Sequence, residues 1–247
     1  MNVSLYQASA AMNAHSRWQE LITHNLTAGS VPGYRKRDIS FSAVEAGHPG
    51  AALNASQIST VMPAARPGTN FQPGQLRPTR NQFDFALDGP GFLEVQLPNG
   101  NKAYTRDGEL HMSAQGQLVT KQGYPVVSDS GPLQFDPNNS GAITVSSNGF
   151  VSQGGDVKGT LRLVEFKDPQ ALTPISAGFF LADRPEAQPE AALNTEVRQG
   201  YLEGSNASPT VEMASLITSM RMFEANQRVL QMQDERMGKA LSELTQS

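Results

Sequence analysis

The sequence predicts a mainly β protein with terminal α-helices. It places an antiparallel β domain on an antiparallel coiled-coil stem made by the N- and C-terminal helices. Three observations predict this. From Met213 to Leu244 a 3,4 spacing picks out Met213, Leu216, Met220, Phe223, Gln227, Leu230, Asp234, Met237, Leu241 and Leu244, and eight of the ten are apolar, as a coiled-coil seam requires. The same spacing near the other end gives Leu5, Ala8, Met12, His15, Gln19, Ile22 and Leu26. Between the two, apolar and polar residues alternate with the strand period, and Gly and Pro interrupt them.

The first helix is expected over residues 2–28, within an N-terminal segment of residues 1–35. A second apolar seam runs beside the first through Ala11, Ala14, Trp18 and Leu21. A face that wide is more than one partner helix covers, so several neighbours are expected. Gly29, Pro32 and Gly33 stop the helix. Residues 36–75 carry Pro49, Pro63, Pro67 and Pro73 among small residues, and read as an extended connector with short strands at most.

Residues 76–203 read as the antiparallel β domain. Phe83, Phe85 and Leu87 share one strand face, and Leu93, Val95 and Leu97 repeat the pattern. Asn99-Gly100, Asp107-Gly108, Gln115-Gly116 and Asn148-Gly149 punctuate the runs, and the Asn-Gly and Asp-Gly pairs predict tight primed hairpin turns. Residues 204–247 form the C-terminal coiled-coil segment. Ser208 can cap its helix, Pro209 suits the first helical position, and Glu212 complements the helix dipole. Residues 209–245 make a rod of roughly 55 Å. The helix holds five of the nine methionines, whose unbranched side chains suit contacts with non-identical neighbours.

The sequence offers no catalytic constellation, and no catalytic, cofactor-binding or metal-binding residues are assigned. Cysteine is absent, which excludes disulfides, thiolate metal sites and a cysteine nucleophile. His15 and His24 lie on one helix, out of phase with each other. Asp84, Asp88 and Asp107 sit beside turns, where aspartate supports backbone geometry. A net charge of −4 argues against nucleic acid as a partner. The basic triplet Arg35, Lys36 and Arg37 reads as a solvated patch after the helix. No basic segment followed by an apolar run opens the chain, so no cleavable secretory signal is expected.

Three stretches, in order, resemble the flagellar basal-body rod and hook proteins. The first runs from Leu5-Tyr6-Gln7-Ala8 through Met12-Asn13-Ala14 to Asn25-Leu26 and Pro32-Gly33-Tyr34-Arg35. The second covers Asp84 to Gly91-Phe92, Tyr104-Thr105-Arg106-Asp107-Gly108 and Gly116-Gln117-Leu118-Val119-Thr120. The third is Gln199-Gly200-Tyr201-Leu202-Glu203-Gly204-Ser205-Asn206 with Glu212-Met213 and Arg221-Met222-Phe223-Glu224-Ala225-Asn226-Gln227. The chain departs from the family pattern at Thr27-Ala28 and at Val31 before Pro32. Its length and single β domain are similar to the rod proteins and not to the hook protein, which carries extra domains.

The resemblance implies a non-enzymatic subunit of the basal-body rod, polymerising through its terminal helices to transmit torque from motor to hook. It needs no cofactor and has no nucleic-acid or small-molecule partner. Its partners would be copies of itself, the other rod and hook axial proteins, and the flagellar type III export apparatus. The assembly interface is assigned to Leu5, Met12, Trp18, Leu21, Ile22, Leu26, Met213, Leu216, Met220, Phe223, Leu230, Met237 and Leu241. Asn25, Pro32, Gly33 and Tyr34 form the motif turn. A surface adhesin or phage-fibre-like module with a coiled-coil stem is the alternative. A polysaccharide-binding or hydrolytic β domain would need an aromatic-lined groove, against which 7% aromatic content argues.

Overall fold

A computed structural model describes residues 3–45, 61–137, 139, 141–176 and 178–245; the side chains of 3–7, 43–45, 61–64, 240, 241 and 243–245 lie outside the described set. The described chain is mainly β, between an N-terminal helix α1 (Val3–Ala28) and a C-terminal helix α2 (Pro209–Thr245). It divides into two units. One comprises residues 1–27, 37–69 and 208–247, and the other residues 28–36 and 70–207.

In the first unit, strands β1 (Arg37–Glu45) and β2 (Val61–Thr69) pair antiparallel along their whole length, with Ile39 opposite Pro67 and Ala43 opposite Pro63. The sequence expectation of an extended connector with short strands is corrected here, for residues 37–45 and 61–69; residues 46–60 lie outside the described ones. Pro63 and Pro67 are four residues apart, so both lie on the same edge of β2. In a two-stranded ribbon that edge can face away from β1, where a missing N–H costs no ladder bond. Along α1 the buried residues Ala8 and Ile22 come from one predicted seam and Ala14 from the other, and Asn25, in neither, is buried as well. Trp18 meets Phe41 of β1 edge-on at 5.8 Å, and His15 lies against both rings. Burial there lowers the His15 pKa.

The second unit holds the antiparallel β domain. Strands β3 (Leu76–Pro78), β4 (Phe85–Asp88), β5 (Phe92–Gln96) and β6 (Lys102–Thr105) come first. Strands β5 and β6 form the centre of a six-stranded sheet. Phe179–Leu181 and then Thr173–Ser176 continue it on the β6 side, and Leu163–Phe166 and then Pro189–Ala191 on the β5 side. Strand alternation feeds two cores. Leu93, Val95, Ala103 and Phe179 enter one, together with Phe85 and Leu87; Phe92, Tyr104, Val164, Phe166 and Phe180 enter the other. In the second core the aromatic rings meet edge-on, Tyr104 and Phe166 at 4.9 Å, an arrangement worth about 0.5–1.5 kcal/mol per pair beyond area burial.

The glycine-marked turns are real, but their type differs from the primed hairpins expected. At Gly100, Gly116 and Gly149 the glycine alone carries a positive φ, and its N–H bonds the carbonyl three residues back, as Gly100 does to Leu97. Leu97 N–H in turn bonds the Asn101 carbonyl at 2.8 Å. That is a three-residue turn closed by a left-handed glycine, which leaves Asn99 and Asn148 in ordinary conformations. Asp107-Gly108 is not a hairpin turn. Gly108 passes so close to Phe85 that an added Cβ would sit 1.6 Å from its carbonyl oxygen.

Candidate functional site

The residues singled out by sequence fall into two places, one in each unit. In the first unit the predicted C-terminal seam splits. Leu216, Phe223 and Leu230 are half-buried, while Met213 and Met220 are 58% and 51% exposed. The covered stripe of α2 runs through Glu212, Leu216, Ser219, Phe223, Asn226, Leu230 and Gln233. It keeps the 3,4 spacing of a seam, but its second set of positions is shifted one residue toward the N-terminus and is polar. Ile217, Met222, Val229, Met232 and Met237 lie exposed outside it. Among the N-terminal candidates, Ile22 is buried and Met12, Trp18, Leu21 and Leu26 are half-buried. The side chains of Leu5 and Leu241 lie outside the described ones.

Asn25 is a junction and not merely a turn residue. Its amide nitrogen donates to the Arg37 carbonyl at 2.8 Å and to the Glu212 carboxylate at 3.1 Å. Its side-chain oxygen accepts from the Arg37 N–H at 2.8 Å. One side chain thus joins the end of α1, the start of β1 and the first turn of α2. Ser219 donates to the His15 carbonyl at 3.4 Å. Going forward along α2, from 212 to 219, these contacts go backward along α1, from 25 to 15. Glu212 is buried at the positive end of its helix, where the dipole favours a carboxylate.

In the second unit the three family-like stretches meet at a buried ion cluster. Arg35 Nη1 donates to Glu203 Oε1 at 2.6 Å, and Arg106 Nη1 to Glu203 Oε2 at 3.4 Å. All three residues are at most 3% exposed. The reading of Arg35, Lys36 and Arg37 as a solvated patch is therefore corrected, because Arg35 is among the largest fully buried side chains. The guanidiniums are satisfied further by carbonyls, Arg35 by Gln72 at 3.0 Å and Arg106 by Gly89 at 2.5 Å. Arg106 also lies 5.0 Å over the Phe92 ring. Burial and the neighbouring Arg35 push the Arg106 pKa down to about 10, against the opposing pull of Glu203.

The motif turn is built around this cluster. Gly33 has φ +66°, its N–H donates to the Glu203 carbonyl at 2.7 Å, and an added Cβ would fall 2.3 Å from the Arg106 backbone. Tyr34 is buried with Ala28 and Ala207, and Pro32 is half-buried. Asn206 holds the same place from the C-terminal side. Its Oδ1 accepts from the Lys36 N–H at 2.6 Å, and its Nδ2 donates to the Asn70 and Gln72 carbonyls at 2.8 Å. In the sequence, Asn206 and Glu203 stand out only through the family resemblance. Nothing local marks either, since these partners are 97 or more residues away.

Each of the three aspartates has a partner, local for Asp84 and Asp107 and on a neighbouring strand for Asp88. Asp84 accepts from Asn81 at 2.9 Å, Asp88 pairs with Arg198 at 2.6 Å, and Asp107 accepts from the Glu109 N–H at 3.0 Å.

Comparison with known proteins agrees with this layout. Residues 86–153 match the model of the flagellar hook protein FlgE/F/G D1 domain, and residues 198–243 match the flagellar basal body rod FlgEFG protein C-terminal model. The chain is 31% identical to the flagellar basal-body rod protein FlgF of Salmonella typhimurium, over 100% of both chains. It is 30% identical to FlgF of Escherichia coli, again over 100% of both. It is also 30% identical to the flagellar basal-body rod protein FlgG of Buchnera aphidicola, over 98% of this chain and 99% of that one. Similar from end to end, the chain belongs to the flagellar basal-body rod proteins, a family of structural proteins and not of enzymes.

Proposed function

We propose that the chain is a structural subunit of the flagellar rod that polymerises through its terminal helices and passes torque from motor to hook. The observation that carries this reading is the uncovered apolar surface of α2, where Met213, Ile217, Met220, Met222 and Met232 are each at least half exposed. A lone helix in water does not gain from such a surface, whereas neighbouring copies stacked along an axis can cover it. The contacts of Asn25 with Glu212 and of Ser219 with His15 support an antiparallel stem in which one stripe of α2 serves the subunit and its flanks serve others. The partners are copies of the chain, other axial rod and hook proteins, and the export apparatus that delivers them.

Photo-cross-linking in motile cells tests the proposal. A cross-linker placed at Met220 or Met232 should capture another axial subunit, whereas one placed at Lys102 in the β domain should not give the same products. Absence of inter-subunit products from either helix position, in cells with complete flagella, would contradict it.

A further inference from the structure

We propose that Arg35, Glu203 and Arg106 form a charge latch through which residues 33–36, 70–75 and 203–206 of the β unit close together or not at all. Glu203 serves all of them. Its carboxylate accepts from Arg35 at 2.6 Å, from the Gly74 N–H at 2.7 Å and from Arg106 at 3.4 Å, while its own backbone carbonyl accepts from Gly33. The surrounding backbone bonds interlock in the same way. Asn206 N–H donates to Tyr34, Asn70 N–H to Lys36, and Gly204 N–H to Gln75.

The stoichiometry makes the cluster conditional. Two buried guanidiniums share one carboxylate, and among the described residues Nε of both arginines and Nη2 of Arg35 find no acceptor. Removing Glu203 therefore leaves two positive charges facing each other away from water, which is far worse than losing one hydrogen bond. Removing one arginine with Glu203 still present leaves one cation on one carboxylate, so the charge penalty falls on states that lose Glu203. Opening residues 203–206 alone is therefore penalised, and the backbone bonds to Tyr34, Lys36 and Gln75 tie the other two segments to them, whereas a purely apolar contact would let each segment fray separately. Arg35 lies in the N-terminal motif and Glu203 in the C-terminal one, so the latch ties closure of these segments to the presence of both motifs. Segments latched in this way would share a pulling load and not yield one by one.

Native-state hydrogen exchange on the full-length monomer tests the latch without any polymer, so its outcome is separate from that of the rod assignment. The amides of Gly33, Lys36, Gly74, Gly204 and Asn206 should report one common opening. Glu203→Gln should speed all five together by about a hundredfold or more, leaving the core amides of Leu118 and Val126 unchanged. Adding Arg35→Gln to that variant should slow the five amides again, because the uncompensated repulsion is relieved. If Glu203→Gln does not fold, the second substitution should restore folding. The latch is overturned if the five amides open separately in the parent, if only Gly74 responds to Glu203→Gln, or if Arg35→Gln worsens the variant or fails to rescue it.

Discussion

Asn25 and Glu212 are 187 residues apart in sequence, yet the asparagine amide donates to the buried carboxylate at 3.1 Å. Asn25→Ala removes that bond together with both bonds to the Arg37 backbone, leaving buried polar groups without their partner. The expected cost is about 2–4 kcal/mol, since each unsatisfied buried group costs about 1–3 kcal/mol. Asn25→Asp should be worse, because it sets two carboxylates face to face. Unfolding followed by helical circular dichroism checks the order: parent, then Ala, then Asp.

Gly33 should tolerate no side chain. Its φ of +66° is costly for alanine, and the added Cβ would meet the Arg106 backbone at 2.3 Å. Gly33→Ala is expected to lose at least about 2 kcal/mol, combining backbone strain with a displaced neighbour. Urea unfolding of the β unit, followed by the fluorescence of its tyrosines, measures the loss. A neutral result would mean that the turn can move away from Arg106.

Asp107 should give the stability curve an identifiable acid limb. Burial raises its pKa to about 6, partly opposed by the hydrogen bond from Glu109. The folded chain therefore holds this proton up to higher pH than the unfolded chain, whose aspartate titrates near about 3.9. Stability falls as pH rises between about 4 and 6 and the penalty stays in full above that, with an upper limit of about 3 kcal/mol. Asp107→Asn, which can still accept the Glu109 N–H, should gain on the parent across that window. Unfolding free energies of both proteins measured from pH 4 to 7 decide it, and a difference independent of pH would contradict the assignment.

The elements that local pattern controls were legible in the sequence. Ser208 and Pro209 marked the start of α2, Gly29 and Pro32 bracketed the end of α1, and alternation through Leu93 and Val95 marked β5. The missed features have physical reasons. Prolines at 63 and 67 suggest a connector until an edge of a two-stranded ribbon is available to take them. The covered stripe of α2 uses Glu212, Ser219 and Asn226, so a count of apolar residues selects the exposed methionines beside it instead. Arg35 looks solvated among Lys36 and Arg37 because its counter-charge, Glu203, is 168 residues away. Long-range polar pairing leaves no periodic trace, and it is what organises the motif segments.

The split of α2 also separates two classes of substitution. Phe223→Asp and Leu216→Asp should disturb the covered stripe, and with it the subunit's own helix contacts, because each strands a carboxylate in an apolar contact. Arg228→Ala and Lys239→Ala change exposed residues and should cost at most about 1 kcal/mol each. Helical circular dichroism of the purified monomers should therefore fall for the first pair and hold for the second.

Electron microscopy of basal bodies from cells producing only the Met220→Asp chain tests whether this surface of α2 builds the rod. Met220 is half exposed in the subunit, so the variant should fold and its β domain should stay intact. A carboxylate placed in an apolar contact between neighbours has no partner there, and the loss recurs at every copy in the polymer. Folded, soluble protein with absent or truncated rods is the expected result. Complete rods built from Met220→Asp subunits would show that this surface of α2 does not hold the assembly together.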